Sequence, residues 1–268
     1  VSEREDLKVE SREAVAWITL DRPDARNAYS EGMIRSLVGA LDEIANDPNI
    51  RVAVITGAGT AFSAGGDLKA MRERTGMFEG NPVELRTRYT TGIQSIPRAI
   101  ARFEKPLIAA INGPAIGAGL DLACMCDLRI SSEAGAFGST FTRVGLVPGD
   151  GGAYFLAQAV GFPRALEMIL TAKILDSAHA LAIGLVHECV PHEMLNERVT
   201  IVAQSIAANA PWAVRLAKRA AYRSRNVDLD TALELAAAYQ GLVQPTQEHQ
   251  EAVSALLEGR PAVFKPTL

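Results

Sequence analysis

The sequence predicts an α/β fold with a helical carboxy-terminal portion, and three observations carry that prediction. Short apolar segments alternate with stretches of helical periodicity over about the first 190 residues. These segments are nearly continuous rather than strictly alternating, the pattern of strands covered on both faces. From about Ala178 onward the pattern is mostly helical. The expected organisation is an α/β core over residues 1–190 carrying the site, followed by a helical region over residues 191–268.

The elements follow in order. Ala14-Val15-Ala16-Trp17-Ile18-Thr19-Leu20 reads as a strand stopped by Asp21-Arg22-Pro23-Asp24. Met33, Ile34, Leu37, Val38, Leu41, Ile44 and Ala45 share one helical face, with Ser30 placed to cap it. Strands are expected over residues 52–56 and 107–111, the latter introduced by Pro106, and over residues 128–131. Helices are expected over residues 119–125 and 154–160. Pro211 suits the first turn of a helix reaching Arg225, and two more helices cover residues 229–242 and 247–257. No internal repeat and no low-complexity linker interrupts the chain.

Composition narrows the function classes. The 268 residues are 48 % hydrophobic and 22 % charged, ordinary globular values that argue against disorder. A net charge of −4 argues against general nucleic-acid binding. No apolar run reaches about 18 residues, so no membrane span is expected. The charged start, Val1-Ser2-Glu3-Arg4-Glu5-Asp6, is not a secretory signal. Three cysteines suit a reducing compartment, and a cytoplasmic location is expected. Charge is uneven, however. Residues 69–105 hold eight basic and four acidic side chains, and residues 212–225 hold five basic side chains with no acid. Such stretches are either solvated helix faces or the footing of a phosphate-bearing ligand or acidic partner.

Two glycine-rich turns can carry chemistry. Phe62-Ser63-Ala64-Gly65-Gly66-Asp67-Leu68-Lys69 follows one strand. Asn112-Gly113-Pro114-Ala115-Ile116-Gly117-Ala118-Gly119-Leu120-Asp121 follows another and leads into a helix. Small residues admit a ligand close to the backbone and leave N–H groups free, and a helix start favours an anion. Side by side, the two turns would form a two-donor oxyanion hole. Neither has the dinucleotide-binding or P-loop spacing.

With Lys105 to Gly113, Cys126-Asp127-Leu128-Arg129, Gly145 to Gly152, Ala180 to Val186 and Phe264-Lys265, these turns resemble the crotonase (enoyl-CoA hydratase/isomerase) superfamily from about Ala14 to Lys265. The resemblance implies a spiral of ββα units with a helical C-terminal region for trimerisation and for covering the site. It implies a homotrimer or dimer of trimers acting on acyl-CoA thioesters, with coenzyme A as part of the substrate and no separate cofactor. By position, the Gly66 and Ala118 amides would polarise the thioester carbonyl and hold an enolate. Ala64, Gly66, Asp67 and Leu68 would flank the adenosine diphosphate part, with Lys69, and Arg260 or Lys265 from a C-terminal segment, as phosphate partners. Residues 71–96 would form the acyl wall, with Arg72, Phe78, Glu84, Arg86 and Tyr89 as candidates.

The chain departs from the hydratase pattern at the acids. Hydratases of this family use two glutamates to hold the water and manage its protons. The first position is Asp121 here, and the second falls on Phe141, a residue that would instead contact substrate. Asp121 is either the acid/base or a first-turn acid favouring the helix dipole. Asp150, in Pro148-Gly149-Asp150-Gly151-Gly152, is either a second catalytic carboxyl or a helix cap. His179, His187, His192 and His249 all lie outside the matched site segments, which disfavours a nucleophile triad. Cys124, Cys126 and Cys189 lack zinc spacing, and no metal is expected. The leading expectation is an enoyl-CoA hydratase or hydratase-like lyase. The alternatives are a double-bond isomerase, a hydrolase or carbon–carbon lyase on an unusual acyl-CoA, and a non-catalytic CoA-binding protein.

Overall fold

The computed structural model describes residues 2–266. The chain starts with β1 (Ser2–Arg4), β2 (Leu7–Arg12) and β3 (Val15–Leu20), followed by α1 (Glu31–Asn46) and β4 (Val52–Gly57). Three helices, α2 (Leu68–Glu73), α3 (Pro82–Thr91) and α4 (Ser95–Arg102), cross to the next core strand, β5 (Leu107–Ile111). Then come β6 (Ala115–Ile116), α5 (Ala118–Met125), β7 (Leu128–Ser132), β8 (Ala136–Gly138), α6 (Gly152–Val160), α7 (Phe162–Thr171), β9 (Ile174–Asp176), α8 (Ser177–Ala182) and β10 (Glu188–Val190). The chain finishes with α9 (Leu195–Ala207), α10 (Pro211–Ser224), α11 (Leu229–Val243) and α12 (Gln247–Glu258).

Seven strands form the main sheet, in the order β1-β2-β3-β4-β5-β7-β10. The first three pair antiparallel, and every pair from β3 to β10 is parallel. A small second sheet, β6-β8-β9, lies beside the site. The core strands were legible because they are apolar on both faces. Ala16, Ile18 and Leu20 of β3 join the larger core with Met33, Leu37 and Leu41 of α1. Val15 and Trp17 of the same strand face the opposite way, toward a second core. Two-residue alternation thus serves two buried faces instead of one buried and one wet face. Ser30 caps α1 as expected, accepting from the Met33 N–H at 2.9 Å.

The β1–β2 hairpin was not foreseen. Its residues are mostly charged, and only Leu7 is buried among those of β2. The boundary expected at residue 190 also needs correcting. α9 lies beyond it, yet Leu195, Val199, Ala203 and Ala207 complete the second core against Val52, Val54, Ile108 and Ile130. Their four-residue spacing gives one apolar stripe, and the sheet would be wet on one face without it. The peripheral helical region therefore starts at α10.

The basic stretches find partners within the chain. Arg215 and Arg219 pair with Glu104, and Lys218 pairs with Asp127 at 2.7 Å. The same Asp127 carboxylate accepts from the Tyr222 hydroxyl and the Leu107 N–H. These bonds dock α10 onto the amino end of β5. Arg74, Arg88 and Arg98 donate to nearby backbone carbonyls. No helix among the described residues is long and apolar enough to cross a membrane.

Lys105 is the least surface-like of the basic group. It is 4 % exposed, and its ammonium donates to the Ile44 and Asp47 carbonyls at 2.6 Å each. A cation at the end of α1 adds a charged donor to two carbonyls that also accept the Asp47 and Ile50 N–H groups, and it favours the negative end of the helix dipole. Lys105→Met should therefore lower stability to urea by about 1–3 kcal/mol, the cost of losing charge-assisted hydrogen bonds at a buried site. A change within about 0.5 kcal/mol, as at an ordinary surface lysine, would refute this role.

Candidate active site

Both glycine-rich turns leave the carboxyl ends of neighbouring parallel strands, β4 and β5, and they are hydrogen-bonded to each other. The Ser63 N–H donates to the Pro114 carbonyl at 3.1 Å, and the Ile116 N–H donates to the Ser63 carbonyl at 2.9 Å. Gly65 has a φ of 79°, and a Cβ there would lie 2.8 Å from the Ala118 nitrogen. A side chain would fail on both counts, conformation and space. A methyl at Gly119 would meet the Ser63 carbonyl.

This lacing brings Gly66 and Ala118, as expected, to one wall of a cleft of about 310 Å³. Neither N–H has a backbone acceptor among the described residues. Ala118 opens α5, where the first N–H groups lack helical partners and the dipole is positive. Tyr29 braces the wall from behind α1's cap. Its N–H donates to the Gly65 carbonyl at 2.7 Å, and its hydroxyl donates to the Ala118 carbonyl at 3.3 Å. Gly66 and Ala118 thus both border one apolar cleft, with N–H groups that no backbone carbonyl among the described residues takes up.

The rest of the lining is mainly apolar, with Leu68, Met71, Met77, Phe78, Ile93, Phe141, Val144 and Ile174 among it. Of the acyl-wall candidates in residues 71–96, Phe78 and Tyr89 line the cleft, whereas Arg72, Glu84 and Arg86 do not. The Phe141 ring comes within 3.8 Å of where a Cβ on Gly117 would sit. An aromatic ring thus stands beside the second glycine-rich turn, at the position where the resemblance implied an acid.

The two aspartates separate by position. Asp150 lines the cleft, while Asp121, one turn into α5, does not. Asp121 is fully buried and packs against Gly152 at the start of α6. Asp150 is not the cap of α6: Gly151 holds that place, with φ 101° and no side-chain cap bond. Burial pushes the Asp121 carboxyl well above the usual carboxylate range, and the charge of Asp150 adds to it. Burial also raises Asp150, opposed by its hydrogen bond with Asp121. Burial and both acids raise the Tyr29 hydroxyl, keeping it a neutral donor.

The expected nucleotide-side residues are dispersed. Ala64 and Leu68 line the cleft. Asp67 does not; it caps α2, accepting from the Lys69 and Ala70 N–H groups, and pairs with Arg22. Those bonds hold its carboxyl below the usual range. Lys69 is exposed next to Leu68. Arg260 is paired with Glu251 and Glu258 and, like Lys265, is not part of this chain's cleft. The neighbouring Phe264 carbonyl accepts from Arg51, at the amino end of β4. Tyr29, Thr140, Arg143 and Gly152 were not singled out from sequence. A signal did exist for Gly152, in the run of three small or acidic residues after Pro148-Gly149.

Gly152 yields a direct test. Glycine-to-alanine in a helix ordinarily stabilises. Here the added methyl would overlap the Asp121 carboxyl. Gly152→Ala should destabilise by about 1–3 kcal/mol, read as a lower Tm. An unchanged or raised Tm would show that the Asp121–Gly152 packing is wrong.

Comparison with known proteins agrees with this architecture. The family model described as Enoyl-CoA hydratase/isomerase matches residues 10–267. The chain is 36 % identical over 260 residues to the short-chain-enoyl-CoA hydratase of Clostridium acetobutylicum, covering 96 % of this chain and 97 % of that one. It is 34 % identical to the 2,3-dehydroadipyl-CoA hydratase of Escherichia coli, covering 97 % and 98 %. The crystal structure of enoyl-CoA hydratase from Bacillus anthracis superposes with a TM-score of 0.91 at 34 % identity, covering 98 % of this chain and all of that one. The fold is the crotonase-like α/β fold, and the chain is an enzyme of the enoyl-CoA hydratase/isomerase family.

Proposed function

We propose that this enzyme adds water across the double bond of a 2-enoyl-CoA thioester, with the thioester oxygen held by the Gly66 and Ala118 amides. The single observation that carries the proposal is the pair of unspent N–H groups on one wall of an apolar cleft, with the Asp150 carboxyl in the same lining. The names of its relatives support the same reading. In the proposed step the water oxygen bonds to C3 while one O–H bond breaks and its proton passes to Asp150. The electron pair of the double bond moves toward the thioester, whose oxygen becomes an enolate oxyanion at the two amides. Asp150 then returns a proton to C2, so the net change is addition of one water. Preorganised donors favour that oxyanion over the neutral carbonyl, which is where rate is gained. Asp121 was the other candidate for the proton carrier, and its absence from the cleft lining favours Asp150.

One observation favours a second reading. A single cleft-facing carboxyl, with Phe141 at the other acid position, suits a double-bond isomerase that moves one proton between carbons. The nucleotide end of coenzyme A is proposed to lie along Ala64, Gly66 and Leu68, with Lys69 near the phosphates. Arg260 and Lys265 enter this scheme only from a neighbouring subunit. A homotrimer or dimer of trimers is proposed, supported by exposed Leu229, Leu233 and Leu242 on α11 and Leu256 and Leu257 on α12. A cytoplasmic location is proposed with it, in keeping with three free cysteines.

Mass spectrometry of 2-enoyl- and 3-enoyl-CoA thioesters incubated with the enzyme in heavy water tests the reaction. Net addition of water to a 2-enoyl thioester is expected, and Asp150→Asn should lower kcat by about 100-fold or more. Double-bond migration with deuterium uptake and no added water would replace hydration by isomerisation. No change across the panel would overturn both. Sedimentation velocity should give the mass of a trimer or hexamer; a monomer at micromolar concentration would refute the assembly.

A further inference from the structure

Asp121 and Asp150 are the only two carboxyls among the described residues that are both buried to 2 % or less. Both oxygens of Asp121 and the Oδ1 of Asp150 are cut off from solvent and have no hydrogen-bond partner when both groups are written as carboxylates. No cation among the described residues compensates them. The charged and titratable groups that act on the pair are each other, the buried Tyr29 hydroxyl ahead of α1, the Tyr89 hydroxyl on α3, and the Cys124 thiol near the end of α5. Two unpaired buried anions in contact would be very costly. Two carboxylates have no proton to share. With one proton between them the contact becomes a hydrogen bond, and one stranded oxygen of each group gains a partner.

We propose that Asp121 is a positioning residue: it holds a proton at neutral pH and donates it to Asp150, keeping the one cleft-facing carboxyl ionised and aimed at the substrate. The proposal rests on the function argued above only for what Asp150 does next. The division of labour follows from place. Asp121 is sealed by α5 and Gly152 and does not line the cleft, so the more buried partner keeps the proton. Asp150 borders the cleft and has its carboxylate stabilised by the bond from Asp121, while burial keeps it basic enough to take a proton from water. The pair thus separates a structural acid from a working base, and no proton leaves through Asp121 during turnover. As a pair of interacting carboxyls it titrates in two steps that belong to both groups. Because the folded-state affinity of Asp121 for its proton is raised, its contribution to stability is full below the ordinary carboxylate range. That contribution is lost as pH rises toward its folded-state pKa.

Infrared spectroscopy of the folded protein at neutral pH should show the carbonyl stretch of a neutral carboxylic acid, shifted in heavy water and missing in Asp121→Asn. No such band in the wild type, or a band that survives in Asp121→Asn, would overturn the proposal whatever the enzyme's reaction. The kinetic arm uses the acid limb of kcat/KM. Asp121→Asn retains an N–H donor, so kcat should fall only a few-fold. Asp121→Val removes the donor, and the acid limb should move up by about one pH unit or more. An unmoved limb in Asp121→Val, or an Asp121→Asn enzyme as inactive as Asp150→Asn, would refute a positioning role. If the band is present but no enoyl thioester is turned over, the proton-sharing pair stands and the hydratase reading falls.

Discussion

The two hydrogen bonds between Ser63 and the Pro114–Ile116 turn are the constraint from which the site follows. They join the ends of two neighbouring parallel strands at a separation that only glycine at 65 and 119 permits. From this one contact come the convergence of the Gly66 and Ala118 amides, the position of the α5 amino end, and the placement of Tyr29 across the join. The sheet supplies the rigidity. β4 and β5 are buried on both faces, by α1, α4 and α5 on one side and α9 on the other. Donors carried on such a frame need little reorganisation when charge develops on a bound oxygen.

Charge is handled in two opposite ways. Several cations of the basic stretches are matched to acids or carbonyls, as with Lys105 at the end of α1 and Lys218 on Asp127. Those bonds fasten helices to the sheet, and they account for part of the charge that resembled a ligand footing in the linear sequence. Asp121 and Asp150 are buried without any cation. Strongly perturbed acids left unpaired at a cleft are where proton transfer is expected.

Much of the frame was legible from residue order. The strands at 15–20, 52–57, 107–111 and 128–132 are apolar runs closed by glycine or charged turns, and the capped and proline-led helices begin where their signals lie. The β1–β2 hairpin escaped because its half-exposed strands carry charged side chains, which mask a two-residue alternation. α9 was not singled out as a helix and fell within the region assigned to the helical periphery, since a helix stripe does not say which face of which sheet it will cover. Phe78 and Tyr89 were among the acyl-wall candidates. Arg72 and Arg86 were equally plausible there, because pocket lining depends on how α3 packs and not on residue type.

The sequence by itself determined the fold class and the two glycine-rich turns, and its family resemblance placed Phe141 where a second acid was expected. These are local properties: apolar runs, glycines and the identity of a residue at a motif position. Tertiary structure alone decided which carboxyl serves the cleft. Asp121 sits at the motif position, yet Gly152 and α6 close over it, and Asp150, which lies in a loop 29 residues later in the sequence, borders the cleft. Access to solvent and to a partner's proton is set by what packs around a group, and residues distant in sequence do that packing.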